Sequence, residues 1–421
     1  MESHYDILIV GGGAAGLFAA AYMGYCTRQK HRSLQIAVCE KAPRVGKKLA
    51  VTGNGTCNLS HIPAEPHSYH GSRNGFVNDI LAAYPPERTR ELFQKFGVET
   101  RRRADGRVYP TCLQASAVLD CLRLEMAANG TAELVNTAVT QLTPKNGEWI
   151  VTTADGTVTA RRVIVAAGGA ASPSVGGCID GYALLRALGC KIIPPFPSVV
   201  PIRTETAFVR ALKGIRADAG ISLICNGQAL ASARGELLFT DYGLSGPAVM
   251  QISRHVGKWE QHKNGEMTVR LDLVPSMSLK EVHDLLLRRQ QSLVDRKTDD
   301  WMTGFIHKRI GQTLLRSAKI PLDLPLSSVG NAQLALLASR CKAWPIAVTG
   351  TMGFGAAQVT AGGADTASFD PHTLEHLRHP GLFAVGEVLD VDGDCGGYNL
   401  QWAWSSAMAA SEKILSDGEL I

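Results

Sequence analysis

The 421 residues carry 43 Lys plus Arg against 38 Asp plus Glu, a formal net charge of +5. Hydrophobic residues make up 45% and charged residues 19%, the balance of a globular chain of two or three structural units, not of a disordered or membrane-embedded one. So small a positive excess over so long a chain argues against a nucleic-acid or membrane partner, and the densest basic spot, Arg101-Arg102-Arg103, reads as a solvated loop.

Ten cysteines without a C-x-x-C spacing exclude a zinc ribbon, an iron–sulfur cluster and a thioredoxin-like dithiol. They read as reduced thiols in a cytoplasmic protein. The twelve histidines form no H-x-x-x-H pattern, so no metal is expected. The apolar stretch from Ile7 to Met23 lacks a basic leader and is broken by Gly11-Gly12-Gly13, which argues against a signal peptide. No apolar run reaches the ~18–20 residues that cross a bilayer.

In chain order, residues 5–10 read as a buried strand ended by Gly. Residues 11–16 form a turn, 17 to about 25 a helix of small residues, and 34–39 a second buried strand closed by Glu40. This is a βαβ unit. Turn signals fill 44–60, and a helix is expected around 88–96. Alternation over 133–141, 148–153 and 157–160, with Asn146-Gly147 and Asp155-Gly156 between the runs, predicts an antiparallel meander. Residues 162–167 then return to the parallel sheet and stop at Gly168-Gly169. Pro194-Pro195-Phe196-Pro197 reads as a linker. Residues 198–275 look β-rich and 278–342 helical. A last strand at 382–385 precedes Gly386-Glu387, and a Gly-opened helix runs from about Leu400 to the end.

Gly11-x-Gly13-x-x-Gly16 between strand and helix is the dinucleotide fingerprint. The first Gly permits the turn, the second lets the backbone approach a pyrophosphate, and the third lets helix and strand pack closely. The amides of Ala14, Ala15 and Gly16 at the helix start are donors for phosphate. Glu40, 24 residues past Gly16, suits a ribose 2′-hydroxyl and repels a 2′-phosphate. An N-terminal adenosine site, an interposed meander and a strand returning to Ala167-Gly168 point to a glutathione-reductase-like FAD-binding domain. The chain has no second fingerprint for a nicotinamide domain.

Four motifs carry a resemblance to a known family: Gly46-Lys47-Lys48-Leu49 with Thr52-Gly53-Asn54-Gly55; Ala167-Gly168-Gly169 with Ser172-Pro173; Gly235 to Thr240 with Gly243 to Pro247; and Gly386 through Trp404. The chain resembles the BaiN/RdsA family of FAD-dependent oxidoreductases, also known as aminoacetone-oxidase-like flavoproteins. The resemblance implies an α/β fold in which a Rossmann FAD-binding domain (1–194 and 350–421) is interrupted by a β-barrel-like domain (195–276 and 325–349) carrying a helical insert (277–324). It implies that Gly386, Glu387 and Asp390 lie beside the ribityl chain, and that Gly397, Tyr398, Asn399 and Leu400 open a helix facing the flavin's pyrimidine end. Lys41, Lys47 and Lys48 are read as further cofactor contacts, with Asn54 in the adjoining turn. Two departures stand out. Thr56 occupies the Arg position of the family's Gly-Arg-Cys-Asn, and Asp241-Tyr242 replace a His.

The expected activity is NAD(P)H-driven reduction of a conjugated C=C in a 3-oxo steroid or bile-acid-like enone. Tyr398 and Tyr242 are the candidate proton donors. The alternatives are an aminoacetone-type amine oxidase, a flavoprotein acting on RNA, and a redox sensor. A small-molecule substrate is expected, and nothing in the sequence fixes the oligomeric state.

Overall fold

The computed structural model describes residues 4–417. It divides into two compact units, one built from the chain up to Phe196 and from Gln358 onward, the other from Pro197–Ala357.

The first unit is organised on a seven-stranded sheet. Four strands lie parallel in the order Ala132–Leu134, Ile36–Cys39, His4–Val10 and Gly156–Val165. Ile7, Leu8 and Ile9 are completely buried, as strands covered on both faces require. Gly156–Val165 is one continuous strand, so the predicted third run of the meander and the predicted return to the parallel sheet are a single element. Its first half pairs antiparallel with Glu148–Thr153, and its last three residues pair parallel with Leu382–Ala384. The meander itself is Val139–Lys145, Glu148–Thr153 and the start of Gly156–Val165. Ala132–Leu134, expected in it, instead extends the parallel sheet beside Ile36–Cys39, because the four residues 135–138, with Asn136 at positive φ, break the run before Val139.

Two helices form the centre of this unit. Ala14–Gln29 is buried on nearly every side, which explains its weak amphipathicity and its small residues. The C-terminal helix Tyr398–Ser416 is buried from Gln401 through Ser411. Phe18 and Trp404 lie 5.1 Å apart between ring centres, and Phe93 completes the cluster at 5.1 Å from Trp404. The proline run 194–197 is not a free linker. It lies in the strand Ile192–Ser198, which pairs with Val359–Ala364.

The second unit is a closed barrel of Ile202–Thr204, Gly243–Ser245, Gln228–Phe239, Arg216–Cys225, Met267–Asp272 and Trp344–Thr351. The stretch read as β-rich also contains the helix Pro247–His262, whose Ile252 and Val256 are buried in the barrel's core cluster. Beyond the barrel strand Met267–Asp272 come the helices Leu279–Ser292, Lys308–Ser317 and Asn331–Lys342. Ser278 caps the first of them by accepting from the Glu281 amide while the Glu281 carboxylate accepts from Ser278, a reciprocal arrangement worth about 1 kcal/mol.

Candidate active site

The glycine turn draws the groove together. Gly11 has φ +108°, and a Cβ there would meet the Ala166 carbonyl oxygen at 2.5 Å; the turn therefore seats directly on the Ala167-Gly168 bend. A Cβ on Gly16 would lie 2.1 Å from the Gly11 oxygen, whereas one on Gly13 or Gly168 would meet nothing within 4 Å. Gly16 is thus a packing glycine, and Gly13 and Gly168 border open space. No side chain caps the helix that starts at Ala14, which leaves the first amides as donors.

Three more segments converge on this turn. The Glu40 carboxylate accepts from the Gly12 amide at 2.9 Å and from the Ala42 amide at 2.8 Å. The Gly46 amide donates to the Gly12 oxygen at 2.7 Å, which fixes the short helix Lys47–Val51 against the turn. Gly386 approaches Ala15 so closely that a Cβ would be 3.0 Å from that methyl group. Lys48 Nζ then reaches Glu387 Oε2 at 2.8 Å, and Glu387 Oε1 accepts from the Thr360 amide at 2.7 Å. Lys41 lies at the outer end, exposed and paired with Asp180 at 2.8 Å.

At the opposite end, Asp390 is buried and accepts from the Ser72 amide at 2.7 Å. The helix Tyr398–Ser416 follows the left-handed Gly397 with neither a side-chain cap nor an acid in its first turn. The Asn399 side chain closes its own loop through the Gly393 amide and carbonyl, both at 2.8 Å, and is thereby spent within the chain. Tyr398 stacks on His61 at 4.4 Å and meets Tyr69 edge-on at 5.8 Å; burial raises its pKa above the ordinary phenol value. Leu400 packs against the core cluster.

Between the ends lies a turn in which Gly53, Asn54, Gly55 and Cys57 all have positive φ. Asn54 is exposed, and Thr56 Oγ1 donates to the Gly53 oxygen at 2.6 Å. Thr56, which departs from the Gly-Arg-Cys-Asn expected by resemblance, therefore ties the turn internally. Cys57 is fully buried and its thiol is pushed up to about 12 by that burial, which rules out a thiolate nucleophile at neutral pH. Arg101 and Arg102 lie on the exposed strand Thr100–Arg102, and Arg103 covers the Tyr109 ring at 4.3 Å. Tyr242, in the second unit, accepts from the Thr204 amide through its carbonyl, and Asp241 pairs with Lys213.

Every predicted cofactor residue lies in the first unit. Free amides at two helix starts, open glycine backbone and an anchored carboxylate match the pyrophosphate, ribose and pyrimidine of a dinucleotide. Among the described residues the buried Asn58 Oδ1 has no hydrogen-bond partner, and a donor on a bound ligand would satisfy it. Sequence reasoning missed Asn58, Ser72 and Thr360. Asn58 ends the Gly55-Thr56-Cys57-Asn58 motif and was the one legible among them.

The chain is similar to known proteins over nearly its whole length. A family described as "HI0933-like protein Rossmann domain" matches residues 5–413. A protein of Clostridium scindens named 3-dehydro-bile acid delta(4,6)-reductase is 35% identical over 403 residues, covering 96% of this chain and 97% of that one. Two proteins named ribosomal RNA dihydrouridine synthase also match: that of Haemophilus influenzae at 29% identity, covering 98% of this chain and 99% of its own, and that of Escherichia coli at 28%, covering 98% of each. With its fingerprint turn, its interrupted Rossmann unit and a family match across nearly all of its length, the chain belongs to the HI0933-like (BaiN/RdsA-type) family of FAD-dependent oxidoreductases.

Proposed function

We propose that this oxidoreductase takes electrons from NAD(P)H and delivers them to a C=C bond conjugated with a carbonyl, its substrate a small 3-oxo steroid or bile-acid-like enone. One observation carries the reading. The relative at 35% identity is named for reducing a 3-dehydro bile acid and those at 29% and 28% for making dihydrouridine. Both names describe saturation of a double bond next to a carbonyl, so the bond type is common where the substrates differ.

FAD, when bound, supplies the hydride-transfer chemistry. In this reading the chain's own residues hold it. Gly11, Gly13 and the amides of Ala14, Ala15 and Gly16 take the pyrophosphate, and Glu40 with Lys41 takes the adenosine ribose. Gly46, Lys47, Lys48, Asn54, Ala167 and Gly168 line the middle, with Gly386, Glu387 and Asp390 along the ribityl chain. The amides that follow Gly397, at Tyr398, Asn399 and Leu400, stabilise negative charge at the pyrimidine. Tyr398 or Tyr242 donates the proton to the substrate. Burial keeps the Tyr398 phenol protonated, which suits an acid and not a base. The inserted barrel and its helices are assigned to substrate selection. The ten free cysteines suit a cytoplasmic setting, and among the described residues no helix is long and apolar enough to cross a membrane.

A second reading, reduction of a uracil base in RNA, is favoured by the two dihydrouridine synthase relatives. It reopens the nucleic-acid class that the small net charge argues against. Two measurements separate the readings: anaerobic bleaching of the bound flavin with NADH or NADPH, then reoxidation by steroid enones, uridine-containing ribosomal RNA or air, and, on the oxidised protein, peroxide formation when an amine and air are supplied together. Rapid reoxidation by enones alone is expected. Reoxidation by the RNA alone selects the second reading, rapid peroxide formation with an amine selects an oxidase, and a flavin that neither nucleotide bleaches excludes a pyridine-nucleotide-driven reductase.

A further inference from the structure

We infer that the carboxamide oxygen of Asn58 accepts the N3–H of the flavin's pyrimidine ring. This assignment rests on the FAD reading above and adds to it the group that reads the ring's donor edge.

The pyrimidine edge of isoalloxazine presents an acceptor, a donor and an acceptor: C2=O, N3–H and C4=O. A helix start supplies only N–H donors, so the amides after Gly397 match a carbonyl and leave N3–H without a partner. Asn58 supplies the missing acceptor. Among the described residues nothing bonds to its buried Oδ1, which lies 2.8 Å from the point where a Cβ on Gly397 would sit. The acceptor therefore borders the first residue before the helix.

Its position is held from both sides. Leu59, the next residue, accepts from Trp404 Nε1 through its carbonyl at 2.8 Å, and Ser60 Oγ bonds Gln401 Oε1 at 2.6 Å. Both bonds join the segment to the first two turns of the C-terminal helix. On the other side, the left-handed Cys57 and the turn before it aim the chain back toward Gly397. Gly397 itself admits no side chain, since a Cβ would meet the Ser60 oxygen at 2.4 Å. The neighbours of Asn58 are thus spent on fixing the segment, while its own oxygen is left over. An unmet buried acceptor is costly, and a ligand N–H removes that cost.

The test compares FAD with N3-methyl-FAD, which lacks the N3 proton, in titrations of the full-length apoprotein followed by flavin fluorescence. The wild-type chain should bind N3-methyl-FAD at least about tenfold more weakly than FAD, as loss of one buried hydrogen bond implies. Asn58→Ala should weaken FAD binding about tenfold and shrink the discrimination to within about threefold. Asn58→Asp, which keeps an acceptor, should retain discrimination and guards against an Ala variant that fails to fold. Equal binding of the two flavins by the wild-type chain, or undiminished discrimination by Asn58→Ala, overturns the assignment alone. A wild-type chain that takes up neither flavin overturns the cofactor reading and this assignment with it.

Discussion

Lys48 and Glu387 stand 339 positions apart in the chain and 2.8 Å apart in the fold. With the Thr360 amide on its other oxygen, the Glu387 carboxylate joins three segments that share no secondary-structure element. The pair is less than a third exposed, at 27% and 21% of the two side chains, so removing one partner leaves a partly desolvated charge. Lys48→Met is expected to lower unfolding free energy by about 1–2 kcal/mol and to weaken FAD binding. The double variant with Glu387→Gln should recover part of the loss in stability. Urea unfolding of the four proteins of the cycle measures the coupling.

The glycines of the fingerprint should separate by role. Gly13→Ala places its methyl in open space, so the apoprotein should keep its Tm while FAD affinity falls at least about tenfold, the methyl intruding where a pyrophosphate approaches. Gly16→Ala drives a methyl into the Gly11 oxygen and should destabilise the fold by at least about 2 kcal/mol. Thermal melts with and without FAD distinguish the two. A Gly13→Ala protein that binds FAD normally would remove that residue from the site.

Trp404 joins packing to position. It is fully buried against Phe18 and Phe93, and its Nε1 donates to the Leu59 oxygen. Trp404→Phe keeps the aromatic contact, leaves that carbonyl unpaired and opens a void. About 2–3 kcal/mol of stability should be lost in chemical denaturation.

His376 gives the fold a pH dependence. Burial, with His379 and Arg378 adding positive charge nearby, lowers its pKa from 6.5 to about 4. Its Nδ1 accepts from the Arg378 amide at 3.1 Å, which requires the unprotonated nitrogen. Between those two pH values the unfolded chain binds the proton and the folded chain does not. Stability from this site is therefore complete above about pH 6.5 and declines as pH falls toward 4, by about 3 kcal/mol at most. His376→Asn, which keeps an acceptor and loses the titration, should flatten that slope in urea melts taken from pH 4.5 to 7.5.

The sequence announces the nucleotide turn because its chemistry is local. A strand, three glycines, a helix and an acid fall within 40 residues, each with one physical reason to be there. The family-specific C-terminal motif was equally plain, and it carried the interrupted architecture with it. Contacts between distant segments were not legible. Nothing near Thr360 or Ser72 marks either as a backbone donor to Glu387 or Asp390, since an amide carries no residue signature. Gly156–Val165 was split in two because Arg161 and Arg162 interrupt its apolar pattern where its edge changes partners. Pro247–His262 was hidden inside a β-rich reading. Its first residue is a proline, favourable at a helix start, but the strand-forming residues on both sides carried the β-rich reading across it.

The pairing of Ile192–Ser198 with Val359–Ala364 means that the polypeptide departs from the nucleotide-binding unit and re-enters it along adjacent tracks. Whatever is spliced between those tracks leaves the order of the central sheet untouched, and its length is only weakly penalised by chain entropy. Such an arrangement lets a lineage exchange the intervening module without rebuilding the sheet on either side of it.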